Sequence, residues 1–206
     1  MAQAASLVVE VGQAFLNKHG EPICGDSVKL TRTKDSTLLV VSDGLGSGIK
    51  ANILATLSTE IATSMINHGA RIEEMVETIA ATLPICRIRR IAYATFSILN
   101  ITNGREAYLV EYDNPPVFFL RDGALAEVPR VNREIAGRTV QESSFEVREG
   151  DYLVCVSDGV VHAGIGGELS LGWTWPGVAR YLTQCVASAP SAHSLADQIV
   201  ERCRAL

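Results

Sequence analysis

The sequence has no C-x-x-C pair, no surplus of basic charge and no long uncharged apolar run. Each absence excludes a class of protein. The five cysteines, Cys24, Cys86, Cys155, Cys185 and Cys203, are odd in number and unpaired by motif. That argues against a disulfide framework or a zinc knuckle and points to free thiols in a reducing cytoplasm. A net charge of −5 argues against a binder of nucleic acid or an anionic membrane, since either would want a basic face. No stretch reaches the ~18 apolar residues of a membrane span. The N-terminus lacks a basic n-region and Glu10 interrupts its apolar stretch, so a secretory signal is not expected. Linkers, low-complexity tracts and solenoid repeats are missing as well. What is there is a globular composition, 47% hydrophobic and 20% charged, in 206 residues. That length can bury a core without disulfides or a structural metal, and residues 1–206 are read as a single domain.

The apolar periodicity changes along the chain. From about Leu7 to Val41 it reads as strands, with alternation at Val28-Lys29-Leu30-Thr31 and a continuous run at Leu38-Leu39-Val40-Val41. Ile53, Leu54, Leu57, Ile61 and Met65 then fall on one helical face. Ile72, Met75, Val76, Ile79 and Leu83 mark a second helix that stops before Pro84, with a hairpin expected at His68-Gly69. Strands return at Tyr93–Ile101 and Glu106–Tyr112 around Asn103-Gly104, a pair that favours a tight type I′ turn. Further strands are expected at Val117–Leu120, Phe145–Arg148 and Tyr152–Val156. The last third is helical, with Val178, Leu182 and Val186 on one face and Leu195, Ile199 and Cys203 on another. Strands, two helices, strands and again helices do not make a βαβ alternation, so the fold class is α+β with mainly antiparallel sheets.

One pattern occurs twice. Leu38-Leu39-Val40-Val41-Ser42-Asp43-Gly44 is echoed by Leu153-Val154-Cys155-Val156-Ser157-Asp158-Gly159. A buried strand ending in Asp-Gly puts a carboxylate at its tip, beside a glycine whose carbonyl is uncrowded. Two such tips side by side offer the oxygen donors that Mg²⁺ and Mn²⁺ prefer. Either Asp-Gly taken singly is simply a turn. Asp26, in Cys24-Gly25-Asp26-Ser27, is a third acidic candidate. The glycine-rich stretch Asp43-Gly44-Leu45-Gly46-Ser47-Gly48-Ile49-Lys50 could cradle a phosphate, but it lacks the G-K-[ST] ending of a P-loop. Asp43 at its start suits a cation better.

Cys24-Gly25-Asp26-Ser27, Val41-Ser42-Asp43-Gly44-Leu45-Gly46-Ser47-Gly48 and Val156-Ser157-Asp158-Gly159-Val160 together resemble the metal-dependent protein phosphatases of the 2C type. Within them the pattern is most similar to the bacterial branch of the stage II sporulation protein E and RsbX phosphatases. The Asn114-Pro115-Pro116 turn is similar to a Pro-containing turn of that branch. The resemblance spans roughly Gly12 to Arg180. It implies a four-layer α-β-β-α sandwich of two mainly antiparallel sheets flanked by helix pairs. It also implies two Mn²⁺ or Mg²⁺ ions ~3.5–4 Å apart that activate a water for attack on a phosphoserine or phosphothreonine. Carried over by motif, Asp43 bridges both ions, the Gly44 carbonyl binds one, Asp158 binds the other, and Asp26 lies near the Gly44 side. The implied substrate is a small phosphoprotein of the anti-sigma-antagonist type. The family closes its site with another Asp in a D-D-x-T-like strand after the last helix. No such strand follows here, and Asp197 sits in a helical pattern, so the expectation is a domain lacking that last strand.

Other polar residues carry weaker signals. His162 could reach a phosphate, although a loop histidine is the simpler reading. His19, His68 and His193 read as surface. Arg87, Arg89 and Arg90 read as a solvated basic face before a docking patch. Trp173 and Trp175 read as packing before a helix. Two alternatives to an enzyme stay open: an interaction module with an incomplete metal site, and a nucleotide-binding domain using the glycine-rich loop.

Overall fold

Period-2 alternation on the central strands decides the architecture. The computed structural model describes residues 7–82, 94–167, 169–188 and 191–206. The chain runs through β1 (Asp26–Arg32), β2 (Ser36–Gly44), α1 (Gly48–Asn67), α2 (Ile72–Thr82), β3 (Ala94–Thr102), β4 (Glu106–Tyr112) and β5 (Phe118–Arg121). It continues through β6 (Ala124–Ala126), β7 (Val131–Ile135), β8 (Arg138–Glu146), β9 (Tyr152–Val154), α3 (Asp158–Val161), α4 (Trp175–Cys185) and α5 (Ala192–Ala205). The strands form a six-stranded sheet in the order β1-β2-β3-β4-β8-β7 and a three-stranded sheet in the order β6-β5-β9. All of these pairings are antiparallel.

Successive side chains of a strand point to opposite faces. Leu38, Val40, Phe96, Ile98 and Val110 therefore pack with Ala62, Met75, Val76 and Ile79 of the helix pair α1–α2. Their neighbours Leu99, Ile101, Ala107 and Leu109 face the second sheet through Val117 and Phe119. Phe118 and Leu120 point the other way and meet Val178, Leu182, Leu195 and Ile199 of α4 and α5. These are the three interfaces of a four-layer α-β-β-α sandwich. Fully burying one such side chain is worth about 1.5–3 kcal/mol.

The helix pair, the Asn103-Gly104 hairpin and the apolar faces of α4 and α5 follow the sequence pattern. Asn103 and Gly104 have φ of 50° and 64°, as a type I′ turn requires. Trp175 stacks on Phe118 with ring centroids 4.6 Å apart, and Trp173 meets Tyr181 edge-on. The four cysteines among the described residues are free thiols.

Three expectations need correction. Residues 7–25 form no strand. Their groups instead meet side chains or helix ends: the Val9 carbonyl accepts from Arg32, and Glu10 accepts the Ala192 N–H. The buried face of α1 is only partly the large aliphatic stripe: Leu54, Ile61 and Met65 are half-buried against the core, but the fully buried positions are small residues. Ala51, Ala55, Ser58, Thr59, Ala62 and Thr63 are buried, whereas Ile53 and Leu57 are 53% and 43% exposed. At its first turn the helix lies so close to the sheet that only small side chains fit beneath it. A Cβ on Gly44 would stand 1.9 Å from the Ala51 carbonyl oxygen. Finally, Phe145–Arg148 contains only the end of a longer strand that starts at Arg138, and the strand at Tyr152 stops at Val154. Pro84, Cys86, Arg87, Arg89 and Arg90 lie outside the described residues.

Candidate active site

The register of β1 against β2 places Asp26 directly across from Asp43. Directly opposed residues in an antiparallel pair have Cα atoms about 4.5–5.5 Å apart. Counting back in twos, Val28 opposes Val41 and Leu30 opposes Leu39, so both carboxylates share the face that looks toward the second sheet. Beyond β9 the chain leaves the ladder at Cys155 and enters α3 at Asp158, with Ser157 as N-cap. This brings Asp158 to the same end of the sandwich. Asp26, Asp43, Ser157 and Asp158 line one end of a cavity of about 1300 Å³ that continues between the sheets along Leu39, Val41 and Leu153.

Asp43 registers the crowding. Burial foremost, then the negative charges of Asp26 and Asp158, push its carboxyl pKa up to about 8. Asp43 is thus the shared neighbour of the other two, and Asp158 is the most exposed of the three. Among the described residues, no group of three or more His, Cys, Asp and Glu side chains already closes on one point as a metal cage. The donor set itself, all carboxylate oxygen with a glycine carbonyl beside it, fits a hard dication and not a soft one. Burial, with the nearby Asp26 charge adding to it, holds the Cys24 thiol above its usual range. Cys24 is therefore a poor nucleophile here.

Each tip is held by neighbours. Gly44 must be glycine because its backbone abuts the first turn of α1. The Asn52 amide on α1 donates to the carbonyls of Cys24 (3.0 Å) and Asp26 (3.4 Å), fixing the loop that leads into β1. Ser157 Oγ donates to Asp26 Oδ2 at 2.7 Å, joining the second Asp-Gly tip to the first strand. In the glycine-rich stretch, Gly46 and Gly48 adopt φ of 108° and 65°. Ser47 Oγ donates to Glu21 at 2.6 Å, so a carboxylate from the N-terminal segment sits at the start of α1. His162 is exposed, with Nδ1 3.9 Å from Asp158 Oδ2, and lines the same cavity.

The structure thus brings Asp26, Asp43, Gly44 and Asp158 together. Asp197 lies apart from them on α5, beside His193. Sequence reasoning missed Ser157, Asn52 and Glu21 as partners of the site. Only Ser157 carried a signal, the serine repeated before both Asp-Gly pairs.

The model of the stage II sporulation protein E (SpoIIE) family matches residues 33–206. The chain belongs to the SpoIIE family. No curated protein matches it in sequence. The PP2C phosphatase domain of SpoIIE from Bacillus subtilis, solved with a fragment of its regulatory domain, superposes with a TM-score of 0.75 at 20% identity. That match covers 96% of this chain and 58% of the other. The RsbU and RsbW domains of a Mycobacterium tuberculosis protein give a TM-score of 0.73 at 16% identity, over 91% of this chain and 54% of theirs. RsbX in complex with magnesium gives 0.63 at 20% identity, over 90% and 83%. The chain thus spans little more than half of the first and second of these solved chains. The fold of this SpoIIE-family member is that of the PP2C-type phosphatases, with two antiparallel sheets between helix layers. Among the described residues, no helix is long and apolar enough to cross a membrane.

Proposed function

We propose that this SpoIIE-family domain is a metal-dependent phosphoserine/phosphothreonine protein phosphatase, with Asp43, the Gly44 carbonyl, Asp158 and Asp26 as its metal-binding groups. The observation that carries the reading is the crowding of Asp43 by Asp26 and Asp158 at the tips of matched Ser-Asp-Gly segments. Three carboxylates held together without a cation repel one another, and a bound cation reverses the sign of that interaction. Mn²⁺ or Mg²⁺, when bound, supplies Lewis-acid polarisation of the phosphoryl oxygens and a water acidic enough to attack phosphorus at neutral pH. Asp43 carries a proton near neutral pH in the metal-free state and gives it up to become a ligand. Asp26, anchored by Ser157, keeps its carboxylate turned toward Asp43. Asp158 is exposed at the rim of the cavity, open to an incoming phosphoprotein.

That one relative is solved with magnesium and others carry RsbU or stressosome names supports a divalent cation and a substrate among sigma-factor regulators, of the anti-sigma-antagonist type. A cytoplasmic location fits the free thiols. The second reading is a partner-binding module of the same fold, favoured by the open donor set. Hydrolysis of a phosphoserine peptide with Mn²⁺ separates the two. Activity should require Mn²⁺ or Mg²⁺ and vanish in Asp43→Asn. Asp158→Asn should weaken one ion more than the other. A folded chain inert at every Mn²⁺ concentration overturns the phosphatase reading.

A further inference from the structure

Asn114 lies between the two carboxylate tips and touches the structure around both. It follows β4, after Asp113 in the left-handed region (φ 50°), where the chain crosses from the six-stranded to the three-stranded sheet. Pro115 and Pro116 come next. They restrict the backbone and have no N–H to lose to a ladder, so the crossover presents the Asn114 side chain in one orientation.

The amide uses both ends. Nδ2 donates to Ser97 Oγ at 2.8 Å and to the Val156 carbonyl at 3.2 Å, and Oδ1 accepts from Thr95 Oγ1 at 3.4 Å. Thr95 and Ser97 belong to β3, and Thr95 is the register partner of Asp43. The Thr95 carbonyl also takes the Ser42 hydroxyl at 2.7 Å, one residue before Asp43. Val156 lies beyond the end of β9 and two residues before Asp158. Ser42 and Ser97 are wholly buried, where lost hydrogen bonds cost the full desolvation of the orphaned group.

From this geometry we infer that Asn114 is the positioning residue that sets the gap between the Asp43 tip and the Asp158 tip. Its single amide bridges the two sheets at the end where the carboxylates meet. The part of the inference that concerns metal rests on the phosphatase reading; the bridging of the tips does not.

The test uses the 206-residue chain with Asn114→Leu, close in size but without hydrogen bonds, and with Ser97→Ala. The readouts are amide hydrogen exchange and Mn²⁺ binding followed by electron paramagnetic resonance. In Asn114→Leu the amides of Val160 and His162, which bond Ser157 and Asp158, should exchange at least about tenfold faster. Those of β2 should stay within about twofold. The more weakly held Mn²⁺ should lose roughly tenfold in affinity, the scale on which outer partners of a metal site act, and the tighter one little. A uniform rise in exchange across the molecule, or unchanged exchange at Val160 and His162, overturns the inference. If the parent chain binds no Mn²⁺, the metal reading fails and hydrogen exchange alone decides the bridge. If Asn114→Leu does not fold, Ser97→Ala must show the same local pattern at about threefold, and its absence there overturns the inference.

Discussion

Ser157 Oγ donates to Asp26 Oδ2 at 2.7 Å across 131 residues of sequence. The bond turns a serine of one Asp-Gly segment into the support for a carboxylate on another strand. A hydrogen bond to a charged acceptor is among the stronger kinds, and its loss frees Asp26 to rotate away from Asp43. Ser157→Ala should therefore lower Mn²⁺ affinity by roughly 10-fold with little change in fold. Titration of the metal against the purified variant measures this, and an affinity within twofold of the parent refutes it.

The crowding of Asp43 has a signature in pH. Its folded pKa of about 8 lies above that of an unfolded aspartate, about 3.9. Its favourable contribution is complete below about pH 4 and is lost as pH rises through 8. In a chelator, the thermal midpoint should fall across that window. Asp43→Asn, neutral at every pH, should flatten the descent and melt at least about 3 °C above the parent at pH 8.5. Equal slopes for parent and variant would show that Asp43 is not crowded.

Metal addition should act in the opposite sense. A ligand at one hundred times its Kd stabilises the folded state by about 2.7 kcal/mol. For a chain of this size that is a rise of about 5–10 °C in midpoint. The rise should grow with pH as Asp43 sheds its proton, and should disappear in Asp43→Asn. Differential scanning fluorimetry with millimolar Mn²⁺ reads it, and a flat response speaks against a cation site.

Away from the site, Glu111 is 3% exposed and pairs with Arg130 Nε at 2.7 Å while accepting the Val117 N–H at 2.6 Å. Removing the arginine leaves a buried charge without its counter-ion. Arg130→Ala should cost about 3–5 kcal/mol in urea unfolding. Adding Glu111→Gln, which keeps an acceptor for Val117 and removes the charge, should recover part of that loss. A purely additive pair would contradict the coupling.

Gly44→Ala tests the close approach of α1 to β2. The new methyl would meet backbone, not a flexible side chain, at 1.9 Å. Relief requires the helix to move off the sheet, so the variant should lose at least about 3 kcal/mol and its Mn²⁺ response together. A soluble variant with the parent's midpoint would show that α1 can shift freely.

The doubled apolar-run-Ser-Asp-Gly pattern made Asp43 and Asp158 legible because it is a local feature of sequence, although only Asp43 lies at a strand end and Asp158 instead opens α3, after Cys155, Val156 and Ser157 have left the shortened β9. The helices and the Asn103-Gly104 turn were legible for the same reason. The buried face of α1 was legible only in part. Ala51, Ala55 and Ala62 carry little hydrophobic signal, and only the tight contact at Gly44 explains why they and not Ile53 face the sheet. The short edge pieces β6 and β7 escaped because β7 is exposed at every position but Ile135. Asn52 and Glu21 act on the site through partners far away in sequence, and no local pattern announces such pairs; the repeated Ser-Asp-Gly marked Ser157 but not its partner Asp26.

Glu10 bonds the start of α5 across 182 residues, and Asp26 waits for Ser157. The segment before the first strand therefore completes its bonding only after nearly the whole domain has been synthesised, and the first strand itself only after Ser157. Long sequence separations of this kind slow folding, because loop closure precedes any gain from contact. On the ribosome, a nascent chain that has emerged only as far as β8 holds Asp26 and Asp43 without their third carboxylate. The order of synthesis thereby withholds the assembled cluster until α3 has emerged.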